Sequence, residues 1–405
     1  MAVTGQAAVA DAESIWPAAR SAYLHVPFCR HRCGYCNFSV VAGRDELIDR
    51  YLAAVERELA ACSLTDRSGG GDLDAFASPE TTLETLFVGG GTPTHLSEAQ
   101  LSTLFKILDE HWPRTGDAEF TFEANPEDIT PDKLHLLREH GVNRISLGVQ
   151  SFRPAKIATL QRGHSPDQAI DAIRAACRII GNVSVDLIFA TPGETLGDWE
   201  SDLQTALSLP IRHLSTYSLT IEKGTEFFGR HRRGDLKGPG ERTEIRMYRT
   251  AGRTASEAGL PRYEISNHAA PEYRCRHNLA YWRGESWLAA GPGAARFVGG
   301  RREVNHRSTT TYLKRIESGR SAIAETEILL PTEFARELMA FGVRQLDGVD
   351  MRDVTRRSGI NVHQLCQDPI DRFVREGLIT CRDDSVRLTD RGVLFADTVA
   401  SGFLG

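Results

Sequence analysis

"LHVPFCRHRCGYCNFSV" (residues 24–40) sets three cysteines, Cys29, Cys33 and Cys36, within eight residues, and no fourth joins them. The motif follows an apolar run at 22–26 that reads as a strand. Loops at the C-terminal ends of parallel strands are where βα folds place their chemistry. A closed tetrahedral zinc site needs four ligands, and His25 or His31 would complete one. A cubane iron–sulfur cluster normally takes four thiolates. Three thiolates leave one iron open, free to chelate a small molecule. The odd count and an intracellular, reducing setting disfavour a disulfide. The other five cysteines, Cys62, Cys177, Cys275, Cys366 and Cys381, are scattered. They read as small buried apolar side chains.

Outward from this loop, strand-like and helical patterns alternate. Strands are predicted at 22–26, 85–89, 119–123, 144–149, 183–189 and 214–220. Helices are predicted at 45–62, 98–111, 131–140, 167–180 and 195–207. Ser97 and Thr130 are candidate N-caps, the latter followed by Pro131 at the first helical position. Six strand–helix alternations predict parallel strands with crossover helices. The fold class is α/β, a partial (β/α)6 TIM-like barrel. The polar, Gly-rich stretch 63–81 reads as a mobile surface insertion. After Glu222 the pattern turns irregular, with a helix near 241–258 and a strand around 263–265. From residue 329, helices at 333–344, 350–358 and 362–376 precede a hairpin at 378–388, the order of a small winged-helix-like module. This gives an N-terminal tail (1–20), a core barrel (21–222), an extension (223–328) and a C-terminal module (329–405).

Composition removes some functions. A net charge of −6 disfavours sequence-independent nucleic-acid binding, which needs a basic face. The C-terminal module is not notably basic, which favours a docking or covering role. No apolar run reaches the roughly 18 residues of a membrane span. The N-terminal stretch lacks a basic-then-apolar signal, so a cytoplasmic location is expected.

The C-x3-C-x2-C spacing, with Tyr35 just before the last cysteine, resembles the radical S-adenosylmethionine superfamily. That resemblance implies a [4Fe-4S] cluster on the three cysteines. In the superfamily the open iron binds the amino and carboxylate groups of S-adenosylmethionine, and an electron cleaves the sulfonium to a 5′-deoxyadenosyl radical. Later strand ends offer a cradle for such a cofactor. "FVGGGTPTHL" (residues 87–96) ends the second strand in glycines that allow close backbone approach and offer N–H donors. No Gly-Lys-Ser/Thr follows, which disfavours a phosphate loop. "FTFEANPE" presents Glu123, "SLGVQSF" presents Gln150, and "LQRGHS" holds Arg162, whose planar fork suits a carboxylate. "VSVDLIFATPGET" places Asp186 in an apolar strand, where a carboxylate needs a ligand or an Arg partner.

In this order the stretches resemble the family of oxygen-independent coproporphyrinogen III oxidase and its HemW-like heme-chaperone branch, over roughly 21–403. By position, the resemblance implies cofactor contacts at Tyr23, Tyr35, Gly90, Gly91, Thr92, Glu123, Gln150, Arg162, Asp186 and Ser218. The oxidase branch, which serves porphyrin biosynthesis, carries an extra cysteine where this chain has Phe38, and a longer segment before its first strand. Both departures favour the chaperone over the enzyme. "RHNLAYWRG" (residues 276–284) matches an H-N-x-x-Y-W motif of the chaperone branch. His277 is a candidate heme ligand, with Tyr281 and Trp282 flanking the porphyrin. The competing reading is a packed aromatic cluster around a hydrogen-bonded histidine, and Cys275 is a rival iron ligand. The implied partners are heme, heme-acceptor proteins such as respiratory enzymes, a second copy of the chain and a membrane surface, with no nucleic acid.

Overall fold

The computed structural model describes residues 15–64 and 82–405, with only the backbone at 62–64. Most of the polar insertion expected at 63–81 therefore lies outside the described residues. Strand β1 (Ser21–Val26) leads into the cysteine loop, and α1 (Ile48–Leu64) follows it. The alternation continues with β2 (Leu83–Gly90), α2 (Glu98–His111), β3 (Arg114–Ala124), α3 (Pro131–Glu139) and β4 (Arg144–Gln150). Next come α4 (Pro154–Thr159), α5 (Pro166–Ile179), β5 (Val183–Phe189), α6 (Leu196–Leu207) and β6 (His213–Ser218). The six strands pair in parallel, in chain order. Ser97 and Thr130 cap α2 and α3, each accepting a backbone N–H three residues on, as the side chains predict.

Each strand buries two different faces. Leu86, Val88, Phe120, Phe122, Ile145, Leu147, Val185 and Leu187 join the main apolar core. Their alternates, Thr85, Glu119, Thr121, Glu123, Arg144, Ser146, Ser184, Asp186 and Ser215, take the other face. Period-two alternation makes this inevitable. The barrel is apolar outside, beneath its helices, and polar within. Arg144 is 2 % exposed despite its charge.

Beyond β6 the chain adds α7 (Glu226–Arg232), α8 (Glu241–Glu257), β7 (Asn267–Ala269) and α9 (Arg276–Trp282). The strand expected at 263–265 is displaced to β7, which pairs antiparallel with β6. The Tyr263 side chain is buried by packing rather than by membership of a ladder. Its buried hydroxyl meets His213 Nε2 at 2.9 Å, and Tyr263 N–H donates to Asn267 O across a tight turn.

The irregular stretch contains β8 (Trp287–Ala290), β9 (Ala295–Val298), β10 (Arg301–Asn305), α10 (Thr309–Glu317) and β11 (Ile323–Ile328). β8 runs parallel to β1 on its free side, so the sheet is open and eleven-stranded: β11-β10-β9-β8-β1-β2-β3-β4-β5-β6-β7. These strands escape sequence reading because they are short, interrupted by left-handed Gly291, Gly293, Gly299 and Gly300, and, for β11, exposed.

A second apolar core gathers α11 (Pro331–Gly342), β12 (Val349–Asp350), α12 (Met351–Ser358), α13 (Val362–Leu365), α14 (Gln367–Arg375), β13 (Ile379–Arg382), β14 (Ser385–Leu388) and α15 (Ala396–Leu404). The small sheet has the order β12-β14-β13. Trp16 packs onto this core through Phe334 and Phe297. Among the described residues no helix is long and apolar enough to cross a membrane.

Candidate functional site

The cysteine loop is closed at its base by a two-residue parallel pairing of Phe28–Cys29 with Val41–Ala42. It is tied to the end of β2 by Gly91 N–H to Val26 O and Thr92 N–H to Phe28 O, both 2.8 Å. Gly91 cannot carry a side chain there, because a Cβ would lie 2.6 Å from Phe28 O. Beneath the loop, Cys29 Sγ meets Thr92 Oγ1 at 3.5 Å, and Asn125 Nδ2 donates to Thr92 Oγ1 at 2.8 Å. Asn125 Oδ1 in turn accepts from Arg162, whose Nη1 reaches Cys33 Sγ at 3.5 Å. Cys29, Thr92, Asn125, Arg162 and Cys33 thus form one arc of contacts across three strand ends.

A cavity of about 580 Å³ opens over this arc. The three cysteines, Tyr35, Gly90, Gly91, Thr92, Glu123, Gln150, Arg162, Asp186 and Ser218 all line it. Tyr23 does not. Its hydroxyl points along β1 to His25 Nδ1 (3.0 Å), and it lines a second cavity. His25 Nε2 bonds Ser39 O at 2.8 Å, so this histidine braces the far end of the loop. His31 Nε2 faces Gln161 O. Burial pushes the Cys29 thiol up to about 12 and raises that of Cys36, so without a cation these sulfurs hold their protons. Asp186 is held by Ser146 and Ser184 hydroxyls, at 3.1–3.3 Å, and the buried Arg144 guanidinium favours its charged form. Ser218 donates to Glu244. Gln150 sits in the left-handed region (φ 66), with a buried, unpartnered Oε1. Arg162 Nε is likewise buried and unpartnered. Asn125 escaped sequence reading, although it stands two residues after Glu123 at the same strand end.

Glu123 connects the two cavities, lining both. Its Oε2 accepts Gly90 N–H at 2.8 Å, and Gly89 leaves room for it. Burial, reinforced by Asp186, pushes its carboxyl up from 4.5 to about 7. The folded state therefore favours the protonated form. The stabilising contribution is complete below about pH 4.5 and is lost as pH rises through about 7. Relative to Glu123→Gln, the wild type loses about 3 kcal/mol of stability between pH 4 and pH 8. Urea titrations of both proteins across that range check it. Parallel pH profiles would contradict it.

The second cavity, about 420 Å³, lies between the barrel interior, α9, β8 and α11. Tyr23, Phe87, Tyr281, Trp282, Trp287 and Phe341 give it an aromatic wall. His277 stands on that wall. Its Nδ1 meets Thr85 Oγ1 and its Nε2 meets the Tyr281 hydroxyl, both at 2.8 Å. Burial lowers its pKa to about 3, so the imidazole is neutral. Glu119 on β3 orients this helix, accepting the backbone N–H groups of Arg276 (2.9 Å) and His277 (3.0 Å). Nothing in the sequence around Glu119 signals that role. Cys275 is buried against Glu119, off the cavity wall. Trp282 Nε1 is buried without a partner.

Comparison with known proteins closes the question of kinship. A Radical SAM superfamily model matches residues 23–206, and a HemN C-terminal domain model matches 329–395. The heme chaperone HemW of Bacillus subtilis (strain 168) is 35% identical over 389 residues, covering 95% of this chain and 99% of that protein. The chain belongs to the heme chaperone HemW family. The Escherichia coli (strain K12) HemW is 30% identical over 95% of this chain and 98% of its own length. The solved structure of E. coli coproporphyrinogen III oxidase (HemN), a radical SAM enzyme, superposes with a TM-score of 0.82 at 21% identity. That superposition covers 96% of this HemW-family chain and 91% of the oxidase, a likeness of fold. The α/β radical SAM fold expected from the cysteine motif is therefore the fold observed.

Proposed function

We propose that this protein binds heme in the second cavity and delivers it to acceptor hemoproteins, such as respiratory enzymes, in the cytoplasm. In this reading 21–222 is the radical SAM core, 223–328 an extension that builds the heme site, and 329–405 a module that covers it. The observation that carries the proposal is the aromatic cavity around neutral His277, with the orphaned Trp282 N–H on its wall. Thr85 holds Nδ1, the outer-shell bond that orients a ligating histidine. Nε2 is then the candidate iron ligand once the Tyr281 hydroxyl turns aside. Trp282 Nε1 suits an acceptor such as a porphyrin propionate.

The first cavity fits a [4Fe-4S] cluster on Cys29, Cys33 and Cys36 with S-adenosylmethionine beside it. Two buried polar atoms there, Gln150 Oε1 and Arg162 Nε, lack protein partners and suit a polar ligand. The thiols of Cys29 and Cys36, whose pKa burial raises, need a cation to become ligands. When bound, the cluster supplies an open iron for the amino and carboxylate groups of S-adenosylmethionine and an electron for its sulfonium. Glu123, Gln150 and Arg162 would orient that cofactor, and Thr92 and Asn125 would hold the cysteine loop against it.

Anaerobic purification with iron and acid-labile sulfide analysis, followed by hemin titration, tests both halves. Iron and sulfide disappear in Cys29→Ala/Cys33→Ala/Cys36→Ala. Hemin affinity falls about tenfold or more in His277→Ala and rises in Tyr281→Phe, which frees Nε2. Unchanged hemin affinity in His277→Ala would remove the heme site from this cavity. Conversion of coproporphyrinogen III to protoporphyrinogen by the anaerobic protein would establish the oxidase activity instead.

A further inference from the structure

A second charged feature lies at the opposite pole of the barrel, where β5 and β6 begin. Arg174 and Arg178 on α5 and Arg212 just before β6 line a cleft of about 560 Å³ that no carboxylate lines. Cys177, Asn182 and Tyr273 complete much of its wall. Among the described residues, none of the three arginines makes an ion pair or a side-chain hydrogen bond. Their company is the Tyr273 ring, 5.5 Å from the Arg212 guanidinium.

A solvated basic surface explains such a patch only in part. Cations are favoured at a helix C-terminus, which accounts for Arg178 in the last turn of α5. The terminal carbonyl of Ile179 is, however, already taken by Arg138 Nη1 at 2.7 Å. Arg174 lies a turn earlier, and Arg212 comes from a different element. Two arginines four apart on one helix repel each other, and the third adds to that repulsion. In a chain of net charge −6, three unpaired guanidiniums facing one concavity make a local positive field. Guanidinium forks match phosphate oxygens in pairs, and the concave shape suits a small ligand better than a flat membrane.

We propose that this cleft is a binding site for a small diphosphate anion, held by Arg174, Arg178 and Arg212. The site lies away from the cysteine loop and is independent of the heme reading. Two sources share the chemistry, an inorganic diphosphate and a nucleoside diphosphate whose base stacks on Tyr273.

Isothermal titration of the full chain with inorganic pyrophosphate and with ADP, at low and moderate salt, tests the site. Both probes are repeated on Cys29→Ala/Cys33→Ala/Cys36→Ala, to separate this cleft from the first cavity. Saturable binding of one pyrophosphate is expected, weakening with salt and by about tenfold for each Arg→Gln substitution, as one charged hydrogen bond is lost. The three positions are exposed, so circular dichroism of the triple Gln variant should match wild type. Tighter binding of ADP, lost in Tyr273→Ala, would support the nucleotide source. Equal binding of both probes would support the diphosphate group alone. Pyrophosphate that fails to bind at millimolar concentration, or that binds the triple variant equally well, overturns the proposal. Binding of polyglutamate without pyrophosphate also overturns it, in favour of an acidic protein partner.

Discussion

Lys156→Ala should lower the stability of the protein by about 3–5 kcal/mol, the cost of leaving buried charges without their partner. Lys156 sits on α4 with its Nζ 2.5 Å from Glu194 and 3.0 Å from Asp202. All three side chains are at most 5 % exposed. The carboxylates have further donors. Asp202 accepts Ser151 Oγ and the Phe152 N–H, and Glu194 accepts the Thr191 N–H and hydroxyl. These bonds tie the loops after β4 and β5 together, close behind Gln150 on the cavity wall. Without the ammonium, two carboxylates face each other away from water with no opposite charge between them. Urea unfolding followed by circular dichroism measures the loss. The triple variant Lys156→Met/Glu194→Gln/Asp202→Asn should recover much of it, because it removes the stranded charge. A loss below about 1 kcal/mol in Lys156→Ala would place the pair among ordinary surface ion pairs and refute its structural role.

The second large effect is expected at Gly91. An alanine there would bring its Cβ within 2.6 Å of Phe28 O, 2.8 Å of Pro27 C and 2.9 Å of Val26 O. These are backbone atoms of the strand that carries the cysteine loop, so no rotamer change relieves the contact. A destabilisation of about 3 kcal/mol, the upper end for overpacking, is expected. The strain falls where the glycine loop is bonded to β1. Cys29 and Thr92 should therefore separate, and the iron content of anaerobically purified protein should fall more steeply than its stability. Gly116→Ala is the control. Gly116 lies in the same sheet with nothing within 4 Å of a Cβ, and should change neither quantity. Equal iron content in Gly91→Ala and wild type would show that the loop tolerates the shift.

Much of the frame was legible because its causes are local. The helices of the barrel announce themselves through capping residues such as Ser97 and Thr130, which need only the next turn. The six parallel strands show as apolar runs of the right length between those helices. Their polar inner face is not legible in the same way: the strands read as almost wholly apolar, and only the folded sheet shows Arg144, Glu123 and Asp186 together on the side opposite the core. The cysteine spacing places three thiols on one loop wherever that loop sits. After Glu222 the same signals weaken. β8 takes its place by pairing with β1, more than 260 residues earlier, and short strands broken by left-handed glycines carry little periodicity.

What the amino-acid order alone determined was the parallel βα scaffold and the three-cysteine loop at a strand end. These depend on residue spacing and on propensities that act over a few turns of chain. Only the tertiary structure decided which partners those residues meet. It joined Asn125 to Thr92 and Arg162, set Glu119 beneath the helix of His277, gave Asp186 its serine partners, and turned Tyr23 toward the second cavity. Those pairings span tens to hundreds of residues. They follow from where packed elements bring side chains together, which no local pattern encodes.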